Sequence, residues 1–408
     1  MQGSRAVFVA GALPGERVRA RVREVGRVLR GDLLEVLEAS PVRRVPDACP
    51  LADRCGGCDW LILDEDAQLA AKKEIVVSAL EHLGGIPRTA YEVRGIRAVA
   101  PAMGYRRRAV LHPGKEGLGY FGRRSHTHVQ VDRCPALVRG AQGMPGELAQ
   151  ALQPILRDVS EVHLLEAGGK TSFFVHLRRG LKARHRTAVE HAVKNSKARG
   201  AVILSFDGNR QTVGDPVLRE DAPMAPNVSL RLRPDCFAQA HAGANHALVK
   251  AVLELASLTG KERLLELFCG NGNLTFALAG ASADVVAVEA QVVSLDLACA
   301  AAGEAKVTNV RFVLGNAGKV VPRMAKCGER FDVLVADPPR TGAAALAAWA
   351  EVLDVRRVVY VACDPASLAR DARELNARGF RPKALELVEL FPQTHHVEAV
   401  MSFERARA

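Results

Sequence analysis

The chain changes its hydrophobic pattern near residue 236. Beyond that point, short apolar tracts alternate with stretches of helical spacing, and the tracts read RLLELF, DVVAVE, VRFVL, FDVLVAD and VVYVAC. Strands that alternate with helices in this way are typical of a mainly parallel, doubly wound sheet. The sequence therefore predicts an α/β domain of the Rossmann-like class over residues 236–408.

The residues before this domain follow other patterns. In residues 5–38, Val18, Ala20 and Val22 alternate with arginines, which predicts short strands with one apolar and one basic face. We interpret residues 1–46 as a small β-barrel that resembles TRAM or OB folds and lacks its first strand. Residues 64–84 carry acids in the first turn and a Gly pair after the last, so they predict a helix. Residues 47–235 as a whole are the predicted α+β, RNA-binding central domain, although this helix could pack on the catalytic domain instead.

The net charge of +11 is confined to the first part of the chain. Residues 1–235 carry 37 Lys and Arg against 26 Asp and Glu, whereas residues 236–408 carry 19 of each. A basic part joined to a neutral part is typical of an RNA-gripping module attached to a catalytic one. A solvated basic surface without a function would give the same numbers, so charge alone leaves both interpretations open.

Composition excludes several other classes. With 48% hydrophobic and 25% charged residues, the chain is typical of a globular protein of two or three domains. It contains no 18-residue apolar run and no secretory signal pattern after Met1. We therefore expect a cytoplasmic, monomeric protein that binds neither membranes nor DNA.

Four cysteines form a pattern typical of a metal site. In CPLADRCGGC, five residues separate Cys49 from Cys55 and two separate Cys55 from Cys58, while Cys134 is remote. Four thiolates can hold zinc or a 4Fe–4S cluster. Structural zinc usually joins two close pairs, so three close ligands and a remote one followed by Pro favour 4Fe–4S, with a structural and RNA-positioning role. Zinc and unliganded core cysteines stay as alternatives.

Two tracts of the α/β domain predict a nucleotide site. The first strand runs into LELFCGNGNLT, where Gly270 and Gly272 permit a tight turn, and the next strand ends in Glu289, which could bind ribose hydroxyls. At the end of the fourth strand, VADPPRTG presents Asp337 on a turn stiffened by two prolines. Together these tracts resemble the class I S-adenosylmethionine-dependent methyltransferases.

The last strands carry a candidate nucleophile and a candidate base. Cys363 ends the strand of VYVACDPASLARD, and FPQTHHVEAV places Glu398 near the same sheet edge. Carbon 5 of uracil is a poor nucleophile, but addition of a thiolate to carbon 6 activates it. A base must afterwards remove the carbon-5 proton. One cysteine and one carboxylate are thus the minimum set, although each residue alone is more often structural.

These four tracts, in this order and spacing, resemble the RNA uracil-5-methyltransferases over nearly the whole chain. The resemblance implies Cys363 as nucleophile and Glu398 as base, and it agrees with the 4Fe–4S interpretation. It also implies a set of residues around S-adenosylmethionine and the uracil: Gln239, Phe268, Asn273, Glu289, Asn316 and Asp337. His241 stands where the family commonly has Asn, so no role is carried over to it.

The remaining alternatives concern substrate and class. A 4Fe–4S motif with a basic barrel resembles the 23S ribosomal RNA enzymes most, and a transfer RNA enzyme is the alternative. RNA cytosine methyltransferases usually place a cysteine after the prolines of the fourth-strand motif, where this chain has Arg340. A non-catalytic RNA-binding or assembly factor and a small-molecule methyltransferase are the other hypotheses.

Overall fold

The computed structural model describes residues 6–405. Residues 1–5 and 406–408, the outer ends of the predicted barrel and catalytic domain, lie outside the described residues. Within 6–405, no helix combines the length and the apolar character needed to cross a bilayer.

The N-terminal residues form a three-stranded sheet in the order β1-β3-β2. The alternation of Val18 and Ala20 with arginines produces the predicted strand, which pairs antiparallel with the next one along the chain. Closure into a barrel stays a prediction, because the described strands form an open sheet. The strands are β1 (Val7–Ala10), β2 (Arg17–Val25) and β3 (Val28–Glu38).

The predicted helix of residues 64–84 spans Glu65–His82 (α1). Asp64 caps its N-terminus, since the carboxylate accepts hydrogen bonds from the amides of Asp66 and Ala67. Val76 and Leu80 pack into the core of the large C-terminal sheet. A 3₁₀ turn (Arg88–Ala90) and strand β4 (Glu92–Arg97) follow, and β4 joins the same sheet at its edge, parallel to a later strand. The predicted boundary at residue 236 therefore needs an amendment: α1 and β4 precede it in sequence but pack with the catalytic domain, because their apolar side chains cover one face and one edge of its sheet.

The central region contains a seven-stranded sheet and a two-stranded hairpin. Its core lies between the sheet and two helices, as expected for an α+β region. The elements are β5 (Arg108–Pro113), β6 (Leu118–Phe121), β7 (His128–Gln130), α2 (Met144–Ala151), a 3₁₀ helix (Gln153–Asp158), β8 (Val159–Ala167), β9 (Lys170–Leu177), α3 (Ala183–Asn195), β10 (Gly200–Leu204), β11 (Arg210–Gly214), β12 (Leu218–Ala222) and β13 (Ala225–Leu232).

The C-terminal region has the predicted helix–strand alternation. All five apolar tracts noted in the sequence are strands. Four of them are largely buried because helices cover both faces of the sheet, whereas β16 at the edge of the sheet is partly exposed. The elements are α4 (Ala242–Ala256), β14 (Arg263–Leu267), α5 (Thr275–Ala281), β15 (Asp284–Glu289), α6 (Val292–Ala305), β16 (Val310–Leu314), α7 (Ala317–Lys326), β17 (Val333–Ala336), α8 (Leu346–Val352), β18 (Arg357–Ala362), α9 (Pro365–Ala377), β19 (Phe380–Val388) and β20 (Glu398–Arg405).

The strand order of this sheet, β16-β15-β14-β17-β18-β20-β19-β4, locates the expected ligand crevice. From β14 the chain moves first to β15 and β16 on one side, then to β17 and β18 on the other, and all five strands are parallel. Ligands of such sheets bind outside the carboxyl ends of the strands where the order reverses, here between β14 and β17. The last strand, β20, runs antiparallel to both of its neighbours.

Candidate active site

Cys363 and Glu398 meet at one edge of the eight-stranded sheet. Strands β18 and β20 pair antiparallel, with Ala362 opposite Ala399, so the same register brings Cys363 opposite Glu398. Side chains at facing positions of an antiparallel pair point to the same side of the sheet and lie close together. Cys363 is half-buried rather than sealed in the interior, and both residues line one large cavity. The two side chains that the sequence predicted to act together therefore share one edge of the cavity.

Local structure holds Cys363 at the strand end. Asp364, the residue after Cys363, caps helix α9 through a 2.7 Å hydrogen bond from the Ser367 amide to its carboxylate. Pro365 is the first residue of that helix, a position that suits its fixed φ. The chain thus turns sharply from β18 into α9, and the thiol stays at the cavity edge.

Burial at this edge favours the neutral forms of Cys363, Asp337 and Glu398, and one nearby cation opposes this effect for two of them. Burial raises the pKa of the Cys363 thiol to about 11, and the neighbouring carboxylates of Glu398 and Asp337 add to this effect. Burial also raises the pKa of Asp337 to about 7 and that of Glu398 well above its ordinary value. The guanidinium of Arg340 acts in the opposite direction on both Cys363 and Glu398. Arg340 is thus the group that favours a thiolate and a carboxylate here.

The cavity has a volume of about 850 Å³ and extends over the ends of β14 and β15. Gly270 and Gly272 adopt left-handed φ values of 56° and 91°, which favour glycine. A Cβ at Gly270 would meet no atom within 4 Å, so the turn faces open space. Five of the six residues predicted around the cofactor and uracil line this cavity: Gln239, Phe268, Asn273, Glu289 and Asp337.

Hydrogen bonds fix two of these side chains. The Glu289 carboxylate accepts the amides of Gly270 at 2.9 Å and Gln291 at 2.8 Å, so it spans the turns after β14 and β15. The side chain of Asn273 exchanges two hydrogen bonds with that of Asn245 on α4, at 2.7 and 2.9 Å. Both side chains are therefore held in place before any ligand binds.

Asn316 and His241 have structural roles in this arrangement. Asn316 does not line the cavity with the other five residues. Its side-chain oxygen instead caps α7 by accepting the Gly318 amide at 2.9 Å. His241, which replaces the family's usual Asn, caps α4 by accepting the Ala244 amide at 3.3 Å and stacks on Tyr105 at 5.0 Å. The cofactor role of Asn316 stays a prediction that this contact does not support.

The opposite wall of the cavity contains the arginine triplet of residues 106–108, which belongs to the basic first part of the chain. Arg107 is 2% exposed, forms an ion pair with Glu220, and donates from Nε to the Gln239 carbonyl at 2.6 Å. Arg108 packs against the exposed ring of Phe237, with its guanidinium carbon 5.6 Å from the ring centre. The triplet thus forms part of the cavity wall, in which Arg107 is buried and supports the Gln239 loop.

The four predicted metal ligands, Cys49, Cys55, Cys58 and Cys134, line the far end of the same cavity. Burial raises the pKa of Cys58 to about 12, while the nearby charge of Arg106 opposes this. Within residues 6–405, no three His, Cys, Asp or Glu side chains are arranged to hold a metal ion. A metal centre at these four cysteines therefore stays a prediction.

Comparison with known proteins decides the class. A sequence model of the tRNA (uracil-5-)-methyltransferase family matches residues 190–406. The 23S rRNA (uracil(1939)-C(5))-methyltransferase RlmD of Pseudomonas putida is 33% identical over 406 residues, which cover 97% of this chain and 88% of the relative. The chain belongs to the RNA uracil-5-methyltransferase family. It is therefore an enzyme, and the family resemblance stated from its motifs is confirmed.

Two further comparisons agree with this family. RlmD of Shewanella sediminis is 31% identical over 408 residues, covering 98% of this methyltransferase and 90% of the relative. The solved tRNA (uracil-54, C5)-methyltransferase of Pyrococcus abyssi, in complex with S-adenosyl-L-homocysteine, superposes with a TM-score of 0.76 at 21% identity. It covers 97% of this chain and 94% of its own. The α/β methyltransferase fold with its large mixed sheet is confirmed.

Sequence reasoning missed three charged groups of the methyltransferase site. Arg340 had been noted only as the residue that replaces a cysteine, and Arg107 only as part of a basic tract. Glu266 is 1% exposed and lines the cavity, and burial raises its pKa to about 8. No local pattern distinguishes these side chains from other charges, because the burial of Arg107 and Glu266 and the position of Arg340 near Cys363 depend on segments that are distant in sequence.

Proposed function

We propose that this methyltransferase transfers a methyl group from S-adenosylmethionine to carbon 5 of a uridine in 23S ribosomal RNA, with Cys363 as nucleophile and Glu398 as base. The observation that carries the proposal is the register of β18 and β20, which brings Cys363 opposite Glu398 at the cavity edge. The ribosomal substrate is supported by relatives 31–33% identical over almost the whole chain, which are named as 23S rRNA enzymes.

The residues of the cavity suit S-adenosylmethionine. The open turn at Gly270 leaves room beside the backbone, and Glu289 ends β15, where a carboxylate can accept bonds from ribose hydroxyls. Phe268, Asn273 and Asp337 complete the side of the cavity formed by the strand ends. When bound, S-adenosylmethionine supplies an electrophilic methyl group.

The chain's own residues then perform the steps at the base. The uridine must leave the RNA stack to reach Cys363. The Cys363 thiolate adds to carbon 6, and the electron pair of the 5,6 double bond makes carbon 5 nucleophilic. After carbon 5 has gained its methyl group, the Glu398 carboxylate removes the remaining proton from carbon 5. The electrons of that bond restore the double bond, the carbon–sulfur bond breaks, and Cys363 leaves as a thiolate.

Trapping with 5-fluorouridine tests this chemistry. Fluorine at carbon 5 cannot leave as a proton does, so the reaction should stop at a covalent complex between Cys363 and the methylated RNA. We expect the wild-type enzyme to form a complex that survives denaturing gels, and Cys363→Ala to form none. A trapped complex in Cys363→Ala, or none in the wild type with methylation detectable on normal RNA, would reject Cys363 as the nucleophile.

A transfer RNA substrate is the second candidate, because the matching family model bears the name of the tRNA enzymes. Both substrates would use the same site, so only the RNA distinguishes them. In the test, 23S ribosomal RNA and transfer RNA are isolated separately from a strain that lacks the enzyme and are incubated with it. We expect 5-methyluridine to form in the ribosomal RNA. Transfer confined to the transfer RNA would replace the ribosomal assignment.

We further propose that Cys49, Cys55, Cys58 and Cys134 hold a 4Fe–4S cluster. The side-chain Nε of Arg106 is buried without a hydrogen-bond partner among residues 6–405, and the charge of Arg106 acts on Cys58. A buried cation beside the thiols suits a set of thiolates with net negative charge. We assign the cluster a structural and RNA-positioning role, because the methyl transfer requires no electron. Anaerobic purification should yield about four irons per chain; stoichiometric zinc without iron would reject the cluster.

A further inference from the structure

The connection between β19 and β20 is held by residues from outside the C-terminal region. Glu389 follows β19, Glu398 begins β20, and residues 390–397 join them. Three consecutive residues of this connection make hydrogen bonds to the N-terminal half of the chain. The Phe391 carbonyl accepts Lys72 Nζ at 3.1 Å, the Pro392 carbonyl accepts Tyr105 Oη at 3.0 Å, and the Gln393 carbonyl accepts the Trp60 amide at 3.0 Å.

Lys72 forms the deepest of these contacts. Its side chain is fully buried, and Nζ donates to both carboxylate oxygens of Glu389, at 2.7 and 2.6 Å. Removing two charges from water costs about as much free energy as their attraction returns, so such a pair adds little to stability. A buried pair of this kind is better suited to fixing one conformation, and here the conformation is that of the segment leading to Glu398.

Gln68 lies one helical turn before Lys72 on the same buried face of α1. Its side-chain amide donates to Gln393 Oε1 at 2.8 Å, and its oxygen accepts the Gln393 backbone amide at 3.0 Å. Gln393 has a φ of 65°, in the left-handed region that non-glycine residues adopt only when their surroundings impose it. The contact with Gln68 is therefore the local reason that the connection keeps this turn.

We propose that Lys72 and Gln68 are positioning residues for catalysis, which hold the connection so that Glu398 faces the uracil. This inference rests on the proposed function, since it assumes that Glu398 removes the carbon-5 proton. It goes further by assigning a step of the reaction to helix α1, which lies more than three hundred positions earlier in the chain than Glu398. Neither residue lines the cavity itself, and Lys72 reaches the lining through its hydrogen bond to the Phe391 carbonyl.

The proposal predicts a specific kinetic defect. Displacing Glu398 leaves addition of Cys363 to carbon 6 and methylation of carbon 5 intact, but slows proton removal. The carbon–sulfur bond then persists, and the enzyme remains covalently attached to methylated RNA. A misplacement of about 1 Å can slow a step by about 100-fold. We therefore expect Lys72→Met to lower kcat by 10- to 100-fold, leave KM for RNA within about threefold, and accumulate the complex on ordinary, unfluorinated RNA.

The experiment compares four proteins on uridine-containing RNA in denaturing gels: wild type, Lys72→Met, Glu398→Gln and Arg97→Met. Glu398→Gln is the reference for a blocked proton step. Arg97→Met is the matched control, because Arg97 also pairs with a buried glutamate of β19, Glu386, but its side chain makes no contact with residues 390–397 among those described. Circular dichroism confirms the folded fraction. Should Lys72→Met fail to fold, Gln68→Ala takes its place, since it leaves no buried charge unpaired.

The outcomes separate this inference from the proposed function. Accumulation of the complex in Glu398→Gln and Lys72→Met, but not in Arg97→Met, supports the positioning role. Accumulation in Glu398→Gln alone overturns the positioning role and leaves the proposed function intact. The same conclusion holds if the turnover of Lys72→Met falls only in proportion to its loss of folded protein. Absence of the complex in Glu398→Gln, with a wild type that still methylates, contradicts Glu398 as the base and removes the premise of the inference.

Discussion

One wall of the large cavity comes from the strand ends of the eight-stranded sheet, and the other comes from segments that precede residue 236. On the first wall, Cys363 and Asp337 come directly after strands β18 and β17, and Glu398 is the first residue of strand β20. On the second wall, Arg107 and Cys58 lie in irregular segments that distant residues hold in place. The first wall contains the groups proposed to react, and the second contains neighbouring cations and thiols.

This difference teaches which chemistry a local motif can encode. A strand that ends at a sheet edge fixes the position of its last residue, so a motif alone suffices to place a nucleophile. A buried cation requires partners elsewhere, because an unpaired charge in the interior costs several kcal/mol. Substitutions on the first wall should therefore abolish reaction steps, whereas those on the second should alter stability, pH dependence or RNA affinity.

The largest effect is expected for the nucleophile. Cys363→Ala should lower the methylation rate by about 10⁴-fold or more, because no other group can activate carbon 5. Cys269→Ala is the matched control: Cys269 lines the same cavity but is buried, and burial raises the pKa of its thiol far above the ordinary range. Its removal should change the rate by less than about tenfold, since only an adjacent contact is lost. Methyl transfer from radiolabelled S-adenosylmethionine measures both; equal losses would contradict the distinction between the two thiols.

The next effect concerns Arg107 on the second wall. Arg107→Met leaves Glu220 without its buried partner and the Gln239 carbonyl without its donor. We expect the free energy of unfolding to fall by about 3 kcal/mol, the usual cost of breaking a buried ion pair. Chemical denaturation measures this fall, and a rise in KM for RNA should accompany it because Gln239 loses support.

The control for Arg107 is an exposed ion pair. Arg199 pairs with Asp215 on the surface, where both side chains are about half exposed. Arg199→Met should lower the free energy of unfolding by less than about 1 kcal/mol, because water screens such pairs. A similar loss in both variants would show that the buried Arg107 has no special structural role.

The predictability of the two walls from the sequence follows the same division. The five parallel strands, helix α1 and the facing of Cys363 and Glu398 could be predicted, because periodicity and strand-end position are local properties. Strand β4 could not be assigned to the catalytic sheet, since its pairing with β19 joins residues almost three hundred positions apart. The cap that the Asn316 side chain forms on α7 could not be predicted for a related reason, because the resemblance indicates the residue type and not its contacts.

A moderate effect is expected for Arg340, which links the two walls electrostatically. Its charge lowers the pKa values of Cys363 and Glu398, so Arg340→Met should raise both. Below the pKa of a thiol, the thiolate fraction falls tenfold for each unit that the pKa rises. We expect trapping rates on 5-fluorouridine RNA to rise with pH in both proteins, with the variant needing a higher pH to match the wild type.

The control for Arg340 keeps its charge. The pH profile of Arg340→Lys should lie close to that of the wild type, because the effect on the pKa of Cys363 depends on the charge of the side chain more than on its shape. Rates measured from pH 6 to 9 on the same RNA provide the comparison. Superimposable profiles of wild type and Arg340→Met would show that this guanidinium does not influence the nucleophile.

The smallest effect is expected for RNA binding by the basic face of β2, whose residues do not line the cavity. The arginines predicted there as an RNA platform are largely neutralised: Arg17, Arg19 and Arg23 pair with Glu38, Glu35 and Asp32 of β3. Arg21 forms no ion pair among residues 6–405 and is exposed, so it remains available to an RNA phosphate. Each phosphate contact adds about one unit to the salt slope of binding. Arg21→Gln should therefore reduce the slope by up to about one, and Arg19→Gln should reduce it less, because Glu35 already neutralises that side chain. Equal reductions, measured by RNA binding from 50 to 200 mM salt, would show that RNA displaces the β3 carboxylates and that the whole face binds as one surface.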